Sequence, residues 1–376
     1  MKRTLLTVAL AAALTTGICG AALAGSGAGA INLSFPVGAR YNALGEAGTA
    51  LSQDVTAQWW NPGGLGFLPQ RDEPHDLHIM QSSLAEGLAD DIGLYWGGYA
   101  APMGDRGAIG FSLNFLDMGE QQGTDESGNE TGVFRSYMFA FGASYGVLVT
   151  PNVGVGLGVK YFRDKLAEDN IIKDTQGGGS GDSFGVDLGV LTKVPTFQFA
   201  EIPVVGHLLW KWPAKIPVVG KYWPMNWIDV DGANFALALA NLGPDIKHVD
   251  ADQSDPMPRK ATIGFAGSLY HSEYMGLLLV ADYLVPLYKW KDDDYGFGLE
   301  SSQEEFGFGA EWNYLRSLFV RIGYKSAAYG DIKDTTFGFG VDLARWVDQP
   351  LTFDFAKVPQ AEGLPNVTRL SLAYRF

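Results

Sequence analysis

The chain ends on the alternating stretch Asn366-Val-Thr-Arg-Leu-Ser-Leu-Ala-Tyr-Arg-Phe376. Because side chains of a strand alternate between its two faces, Leu370, Leu372, Tyr374 and Phe376 share an apolar face, and the intervening face is polar. One apolar face and a terminal aromatic residue are typical of the last strand of an outer-membrane β-barrel, which has lipid outside and a wet lumen. We therefore predict that Leu372, Tyr374 and Phe376 form the signal that the barrel-assembly machinery reads.

The same alternation recurs along the chain, in residues 109–115, 139–145, 153–161, 184–190, 306–312, 318–324, 337–343 and 351–356. The composition agrees, with 47% hydrophobic residues, 13% aromatic residues and 49 glycines. Beyond residue 24 no run of about 18 apolar residues occurs, so no spanning helix is expected. Counting the strands predicts an all-β, transmembrane antiparallel barrel of about fourteen strands from His75 to Phe376, an even number as in bacterial barrels.

The other end of the chain predicts export. Lys2 and Arg3 precede an apolar run and the small-residue site Ala22-Leu-Ala24, which together indicate a signal peptide over residues 1–24. The alternative is a lipoprotein anchored at Cys19, which we disfavour because Thr16-Gly-Ile18 departs from the usual lipobox order. Cys19 is the only cysteine, so the mature chain is expected to have no disulfide. The net charge of −15 disfavours nucleic acid as a partner.

The residues before the barrel are predicted to fold inside it. The stretch Gly25–Arg71 is too polar to span lipid, yet it holds large apolar residues that need burial, namely Leu44, Val55, Trp59, Trp60, Leu65 and Phe67. We predict a hatch over residues 25–74 and the barrel over residues 75–376; a loose periplasmic tail is the alternative. The small inward residues of the strands leave room for such a hatch.

Three charged residues are predicted to point into the lumen: Glu311, Arg321 and Asp342. Because an unpaired buried charge is costly, we expect Arg40 of the hatch to bind an inward carboxylate such as Glu311 or Asp342. The sequence alone does not decide whether Arg40 binds Glu311 or Asp342.

Connections between the predicted strands alternate in length, with short turns such as 103–107 and long polar segments such as Gly119–Phe134 and Lys291–Gln303. Short periplasmic turns and long outer loops produce this pattern. The exception is Thr196–Asp231, which carries four tryptophans, Trp210, Trp212, Trp223 and Trp227. We interpret it as an interfacial flap on the periplasmic side, with partner docking as the alternative.

No catalytic, metal or cofactor site is predicted. The string Gly142-Ala-Ser-Tyr-Gly146 matches a nucleophile elbow, but that motif needs a strand–turn–helix and here lies within a strand. The string Asp229-Val-Asp-Gly232 begins like a calcium loop but lacks the later ligands. The five histidines show no metal-ligand spacing.

A family resemblance appears in the predicted hatch. Gly38-Ala-Arg-Tyr-Asn-Ala-Leu-Gly-Glu-Ala-Gly-Thr-Ala50 and Trp59-Trp-Asn-Pro-Gly-Gly-Leu65 resemble the hatch of the PorV/PorQ family of outer-membrane proteins and, more distantly, that of the FadL family. Residues 239–247, 255–259, 320–325 and 368–376 resemble further family stretches in the same order. The resemblance singles out eight hatch residues: Gly38, Arg40, Gly45, Gly48, Trp60, Asn61, Pro62 and Gly63. Asn61-Pro62 either shapes a turn, which we favour, or contacts a ligand.

The resemblance implies two non-catalytic functions. PorV-like proteins act in type IX secretion, holding secreted proteins by a C-terminal sorting domain, whereas FadL-like proteins pass hydrophobic small molecules across the outer membrane. A small, polar lumen favours protein handling, because a route for an apolar ligand should be lined by apolar side chains. A structural barrel without a transport role is the third interpretation. The expected surroundings are outer-membrane lipid and the barrel-assembly machinery.

Overall fold

A computed structural model describes residues 29–84, 86, 91–124, 130–165, 179–194, 197–198, 229–230, 232–247, 254–255, 257–287, 304–327, 332–347, 349–360 and 365–376. Fourteen antiparallel strands form one closed barrel, which confirms the predicted fold. In chain order the strands are β1 Asp76–Ser83, β2 Ile92–Pro102, β3 Gly107–Thr124, β4 Glu130–Thr150, β5 Val153–Lys165, β6 Ser180–Val194, β7 Ala233–Leu242, β8 Lys260–His271, β9 Met275–Pro286, β10 Glu305–Tyr314, β11 Leu318–Ala327, β12 Ile332–Asp342, β13 Leu351–Val358 and β14 Val367–Arg375.

Each strand pairs with its neighbours in the chain, and β14 returns to pair with β1, where Leu372 lies opposite Ile79. Closure leaves no free sheet edge, which a sheet in lipid requires because exposed backbone groups there have no water to bind. His75 and Phe376 exchange two backbone hydrogen bonds, of 2.9 and 3.0 Å, at the point of closure. The barrel therefore begins and ends at the same rim.

The outer face of the barrel is apolar. Large side chains exposed there include Leu77, Ile79, Tyr95, Phe111, Leu113, Phe141, Leu157, Val159, Phe184, Phe235, Ile263, Phe308, Trp312, Val320, Ile322, Phe337, Phe339, Leu370 and Leu372. They alternate with buried inward residues along each strand, as the period-two pattern predicts. Such a surface suits lipid and would be unfavourable in water. Within the described ranges, no helix has the length and apolarity to cross a membrane.

The two rims differ. We call the rim that holds His75 and Phe376 the turn end, because its connections include the short turns 103–106, 151–152, 272–274 and 315–317. A one-turn helix, Ala344–Val347, lies in the connection from β12 to β13 at the same rim. The opposite rim is the loop end. Bacterial barrels keep their short turns on the periplasmic side, so we expect the loop end to face outward.

The prediction of a long loop from Gly119 to Phe134 is wrong. Strands β3 and β4 continue to Thr124 and from Glu130, so only residues 125–129 connect them. The ladder is kept through a bulge, where the register shifts between Asp117 and Glu120, and Arg135 forms a 2.7 Å ion pair with Asp117 beside it. Runs of polar residues without clear alternation hid these strand extensions in the sequence.

Several predicted features lie outside the described residues. They are the signal peptide (1–24), the segment Lys291–Gln303, and the part of the Thr196–Asp231 insert that carries its four tryptophans. Of that insert, Phe197–Gln198 pairs with Asp229–Val230 in a separate two-stranded sheet.

Residues 29–71 lie inside the barrel and are called here the inner segment. It folds as short helical turns, Ile31–Leu33, Ala39–Asn42, Ala57–Trp60 and Pro62–Gln70. Its large apolar residues are buried as the sequence requires, with Leu44, Val55 and Leu65 fully enclosed. The principal apolar cluster packs this segment against inward residues of the wall such as Met80 and Trp96.

Candidate functional site: the lumen and its inner segment

Arg40 binds Glu311 of β10 through two hydrogen bonds, of 2.9 and 2.7 Å. Arg321 of β11 donates to the same carboxylate at 2.6 Å and to Asp354 of β13 at 2.6 Å. Glu311 and Arg321 are each only 2% exposed. The four residues form a chain of alternating charge, in which each buried charge has an opposite partner, as burial of charge demands.

In the structure the partner of Arg40 is therefore Glu311, and Asp342 lies elsewhere. Asp342 ends β12 at the turn end, where it accepts a 2.7 Å hydrogen bond from Arg375 and one of 3.0 Å from Thr352. Burial alone would lower the pKa of Arg40, but the Glu311 charge and hydrogen bonds raise it above its ordinary value. Arg40 therefore stays cationic and joined to the wall.

A second ionic contact lies nearer the loop end. Glu46 of the inner segment pairs with Lys325 of β11 and lies 3.6 Å from Arg369 of β14. Burial alone would raise the pKa of Glu46, but the charges of Lys325 and Arg369 outweigh it and lower the pKa overall. Arg369 also donates to the Pro36 carbonyl at 2.9 Å and to the Asn42 side chain. We refer to the pairs of Arg40 and Glu46 with the wall as the ion-pair contact.

Backbone amides of the inner segment bind side chains of the wall. Asp282 of β9 accepts hydrogen bonds from the amides of Gly48, at 2.9 Å, and Thr49, at 2.8 Å. Thr336 of β12 accepts from the Gly45 amide at 2.9 Å. Ser371 of β14 accepts from the Ala39 amide at 2.8 Å. Irregular backbone is thus satisfied inside the barrel, which is where such backbone is tolerated at membrane depth.

On another part of the wall, glycines of strands β4 to β6 let the inner segment approach closely. A Cβ on Gly63 would lie 2.9 Å from the carbonyl oxygens of both Gly154 and Gly189. A Cβ on Gly146 would lie 2.5 Å from the Pro62 carbonyl oxygen. These distances are below any real Cβ contact, so the fit requires glycine. We call this region, Pro62–Gly66 against Gly146, Gly154, Gly156 and Gly189, the glycine contact.

Asn61 and Pro62 shape the turn that enters this contact. The Asn61 side chain accepts from the Gly63 amide at 3.1 Å and caps the helical turn that starts at Pro62. Its amide group donates to the carbonyls of Thr49 at 3.2 Å and Val190 at 3.0 Å. All of these partners belong to the protein itself, so the favoured interpretation, a structural turn, accounts for the motif.

The remaining hatch-motif residues pack within the inner segment or against its surroundings. Gly38, with φ of 83°, donates its amide to the Met80 sulfur, at 3.1 Å. Gly45, with φ of 74°, occupies a conformation that favours glycine and lies against backbone of β10 and β11. Gly48 lies against the Trp60 ring, and the Trp60 indole donates to the Val37 carbonyl at 3.0 Å.

The sequence missed a third polar cluster, near the turn end. Asp54 accepts hydrogen bonds from Tyr41, at 2.6 Å, and from the Thr56 amide, at 2.9 Å. The neighbouring Val55 amide donates to Asp76 of β1 at 3.3 Å. Burial alone would raise the pKa of Asp54, but the charge of Arg71 and the hydrogen bonds from Thr56 and Tyr41 lower it overall. Asp54 therefore remains ionised and holds the start of the last helical turns.

Two cavities in the described lumen are small and have mixed polar and apolar linings. One of about 40 Å³ lies between Trp59, Trp60, Asp282 and Lys325, and one of about 20 Å³ lies beside Gln58, Lys160 and Asp187. Pockets for drug-sized ligands are about 300–1,000 Å³ and mostly apolar. The described residues also contain no group of three or more histidine, cysteine, aspartate or glutamate side chains placed to hold a metal.

Comparisons with known proteins found one matching family model and several similar solved structures. The family described as "Type IX secretion system protein PorV" matches residues 29–204. No curated protein sequence matches the chain.

Among solved structures, the toluene transporter TodX of Pseudomonas putida is 13% identical, covers 90% of this chain and 98% of its own, and has a TM-score of 0.47. The CymD monoaromatic hydrocarbon channel is 13% identical, with 90% and 97% coverage and a TM-score of 0.46. A FadL homologue of Pseudomonas aeruginosa is 13% identical, with 95% and 100% coverage and a TM-score of 0.42. The fold assignment rests on the strand ladder described above.

The matched range contains the whole inner segment and strands β1 to β6, and therefore both sides of the glycine contact. It also contains the motifs that carry the predicted resemblance in the hatch. The resemblance is confirmed over residues 29–204, which match the PorV family model, and the fold is that of an outer-membrane β-barrel.

Proposed function

We propose that this protein is a non-enzymatic carrier of the outer membrane that holds the C-terminal sorting domain of secreted cargo at its loop end. The observation that carries the proposal is the PorV family match over residues 29–204. That match covers the inner segment and six of the strands. It therefore includes the residues that fill the lumen as well as part of the barrel wall.

The lumen supports this proposal over passage of small molecules. The inner segment fills the interior through ion pairs, amide hydrogen bonds and backbone contacts, and two cavities there measure only about 40 and 20 Å³. A barrel sealed in this way offers its rims for protein binding. The alternative, a passive transporter of hydrophobic compounds, would need a larger apolar route than these cavities provide.

The loop end carries an ordered extension of two strands. Strands β3 and β4 run on to Thr124 and from Glu130, past the last rung that β3 shares with β2, between Ile92 and Met118. The extension carries exposed side chains, among them Val133 at 60%.

The test is affinity purification of the tagged barrel from its native outer membrane, followed by mass spectrometry of the bound proteins. The carrier proposal expects secreted proteins that share one C-terminal domain. A barrel recovered without such proteins would contradict it, and the bound lipid would then be analysed for a hydrophobic ligand.

Strand β4 offers a matched pair of variants for the same experiment. Val133, at the loop end, is 60% exposed and Val149, at the turn end, is 56% exposed. Val133→Asp should reduce the recovery of cargo, whereas Val149→Asp should leave it unchanged. Equal recovery with both variants would show that cargo does not bind at this extension.

A further inference from the structure

Charged side chains lie on the outer face of the barrel near the loop end. Arg163 of β5 lies opposite Asp182 of β6, and Asp182 lies opposite Lys247 of the connection between β7 and β8. All three residues are exposed, whereas the neighbouring Phe162 and Ile246 are fully buried, so the charged side chains point away from the lumen. We call Arg163, Asp182 and Lys247 the charged rung.

The two cations of the charged rung have no anionic partner within the described part of the chain. Asp182 lies between them in the ladder, but neither Arg163 nor Lys247 forms an ion pair with it. Lys357, near the loop end of β13, by contrast donates to Glu86 at 3.0 Å. Two cations and one carboxylate leave the charged rung with a net positive charge, on a chain whose net charge is −15. Its sign is therefore a local feature, which the overall composition does not explain.

The height of the charged rung on the wall can be read along β5. The strand begins at Val153, next to a short turn of the turn end, and its outward residues Leu157, Val159 and Tyr161 are large and exposed. Arg163 is the next outward residue, ten positions after Val153. At about 3.3 Å per residue and a tilt of about 40°, it lies about 25 Å above the start of the strand. The apolar band of such a barrel is about 25 Å tall, which places Arg163 at the outer edge of the lipid.

Aromatic side chains surround the charged rung on the side that faces the lipid. Tyr161 lies opposite Phe184, which is 60% exposed, one outward position closer to the turn end. Phe139 lies opposite Arg163, and its ring packs on Tyr161 with centroids 6.1 Å apart. Aromatic girdles of outer-membrane barrels mark the interface between lipid and water. A cation beside such a girdle lies at the level of the lipid headgroups.

We propose that the charged rung binds the phosphate group of a lipid in the outer leaflet, with Arg163 and Lys247 as its two cationic ligands. The guanidinium of Arg163 offers parallel N–H donors that match two phosphate oxygens, and the ammonium of Lys247 adds a compact charge. The acyl chains of that lipid lie against Tyr161 and Phe184. Asp182 repels the phosphate and limits the affinity. The site uses the outer face of the wall alone and does not depend on which cargo the barrel holds.

Lipid retention by the purified, folded barrel tests the proposal. The barrel in detergent is incubated with lipid A that carries two phosphates, or with the same lipid after its phosphates have been removed, and bound lipid is counted by native mass spectrometry. The test variant combines Arg163→Gln with Lys247→Gln. The matched control is Lys357→Gln, because Lys357 already has a carboxylate partner near the same rim. Heat-dependent migration on gels, which reports a closed barrel, shows that each variant has folded.

We expect the unaltered barrel and Lys357→Gln to retain phosphorylated lipid A equally. The double variant should bind it about tenfold more weakly or less, since each cation near an anionic lipid surface contributes about fivefold. Asp182→Asn should strengthen retention, because it removes the carboxylate that repels the phosphate.

Three outcomes would overturn the proposal. The first is equal retention by the double variant, and the second is equal retention of lipid A without its phosphates. The third is displacement of lipid A by inorganic phosphate at the same concentration, which would mean that the charged rung binds free phosphate and not a lipid.

Discussion

The inner segment is held by two contacts of opposite character. In the ion-pair contact, Arg40 and Glu46 bind charged side chains of β10, β11 and β14. In the glycine contact, Pro62–Gly66 lies directly against backbone of strands β4 to β6, where side chains are absent. The first contact depends on charge and tolerates some change of shape, whereas the second depends on shape and is indifferent to charge. A lumen can therefore be filled by two independent kinds of complementarity.

Removing the whole inner segment abolishes both contacts and should have the largest effect. Deletion of residues 25–71, with the export signal kept, should raise single-channel conductance in planar bilayers, because polar and small side chains then line an open lumen. The folded state of the deleted barrel is checked by heat-dependent gel migration. Unchanged conductance of a folded barrel would mean that the inner segment is not what closes the lumen.

Glu311→Gln tests the ion-pair contact alone. The substitution leaves Arg40 and Arg321 facing a neutral group, and breaking a buried pair costs about 3–5 kcal/mol. We expect a lower midpoint for unfolding of the purified barrel in urea and a measurable rise in conductance. Asp117→Asn is the matched control, since its partner Arg135 is exposed at the loop end, and it should change neither quantity.

Gly146→Val tests the glycine contact alone. The new side chain would meet the Pro62 carbonyl oxygen, and overpacking of this kind costs about 1–3 kcal/mol. We expect loss of stability without any change in its dependence on pH or salt. The control is Gly97→Val on the outer face, where the nearest atom, on the Ile79 side chain, is 3.9 Å away. Equal effects of the two valines would contradict a contact that depends on shape.

The two contacts should also differ in their response to acid. Because Lys325 and Arg369 lower the pKa of Glu46, its stabilising contribution is complete above the unfolded value of about 4.3 and is lost as the pH falls through the lower folded value. Thermal unfolding followed from pH 6 to pH 3 should show part of this loss. Glu46→Gln should remove that part of the slope, whereas Gly146→Val should keep it. A slope unchanged by Glu46→Gln would contradict the assignment.

The sequence predicted the ring of strands because every strand carries its own period-two signal. It also predicted that residues after Gly25 fold inside, since Trp59, Trp60 and Phe67 need burial. The choice between Glu311 and Asp342 as the partner of Arg40 stayed open, because it depends on strand register and on how deep the inner segment lies. The alternation of side chains within one strand indicates neither its register against the next strand nor the depth of the inner segment.

The same limit explains what was missed. Glu46 with Lys325, and Asp282 with the amides of Gly48 and Thr49, join residues more than two hundred positions apart. Asp54 lies in a polar stretch that could equally be a surface turn. The inward glycines, by contrast, were visible as small residues, and only their contact with Pro62–Gly66 required the structure.

The meeting of His75 and Phe376 has a mechanical consequence. Every other pair of neighbouring strands is joined by a covalent connection at one end, but β14 and β1 are not. At this seam the Phe376 ring stacks on His75, with centroids 5.2 Å apart, and His75 also binds the Tyr99 hydroxyl at 2.8 Å. Ring stacking and hydrogen bonding take the place of a covalent hairpin turn at this seam. Under a pulling force β14 and β1 should therefore separate before any other strand pair. Residues appended after Phe376 would act directly on these non-covalent contacts.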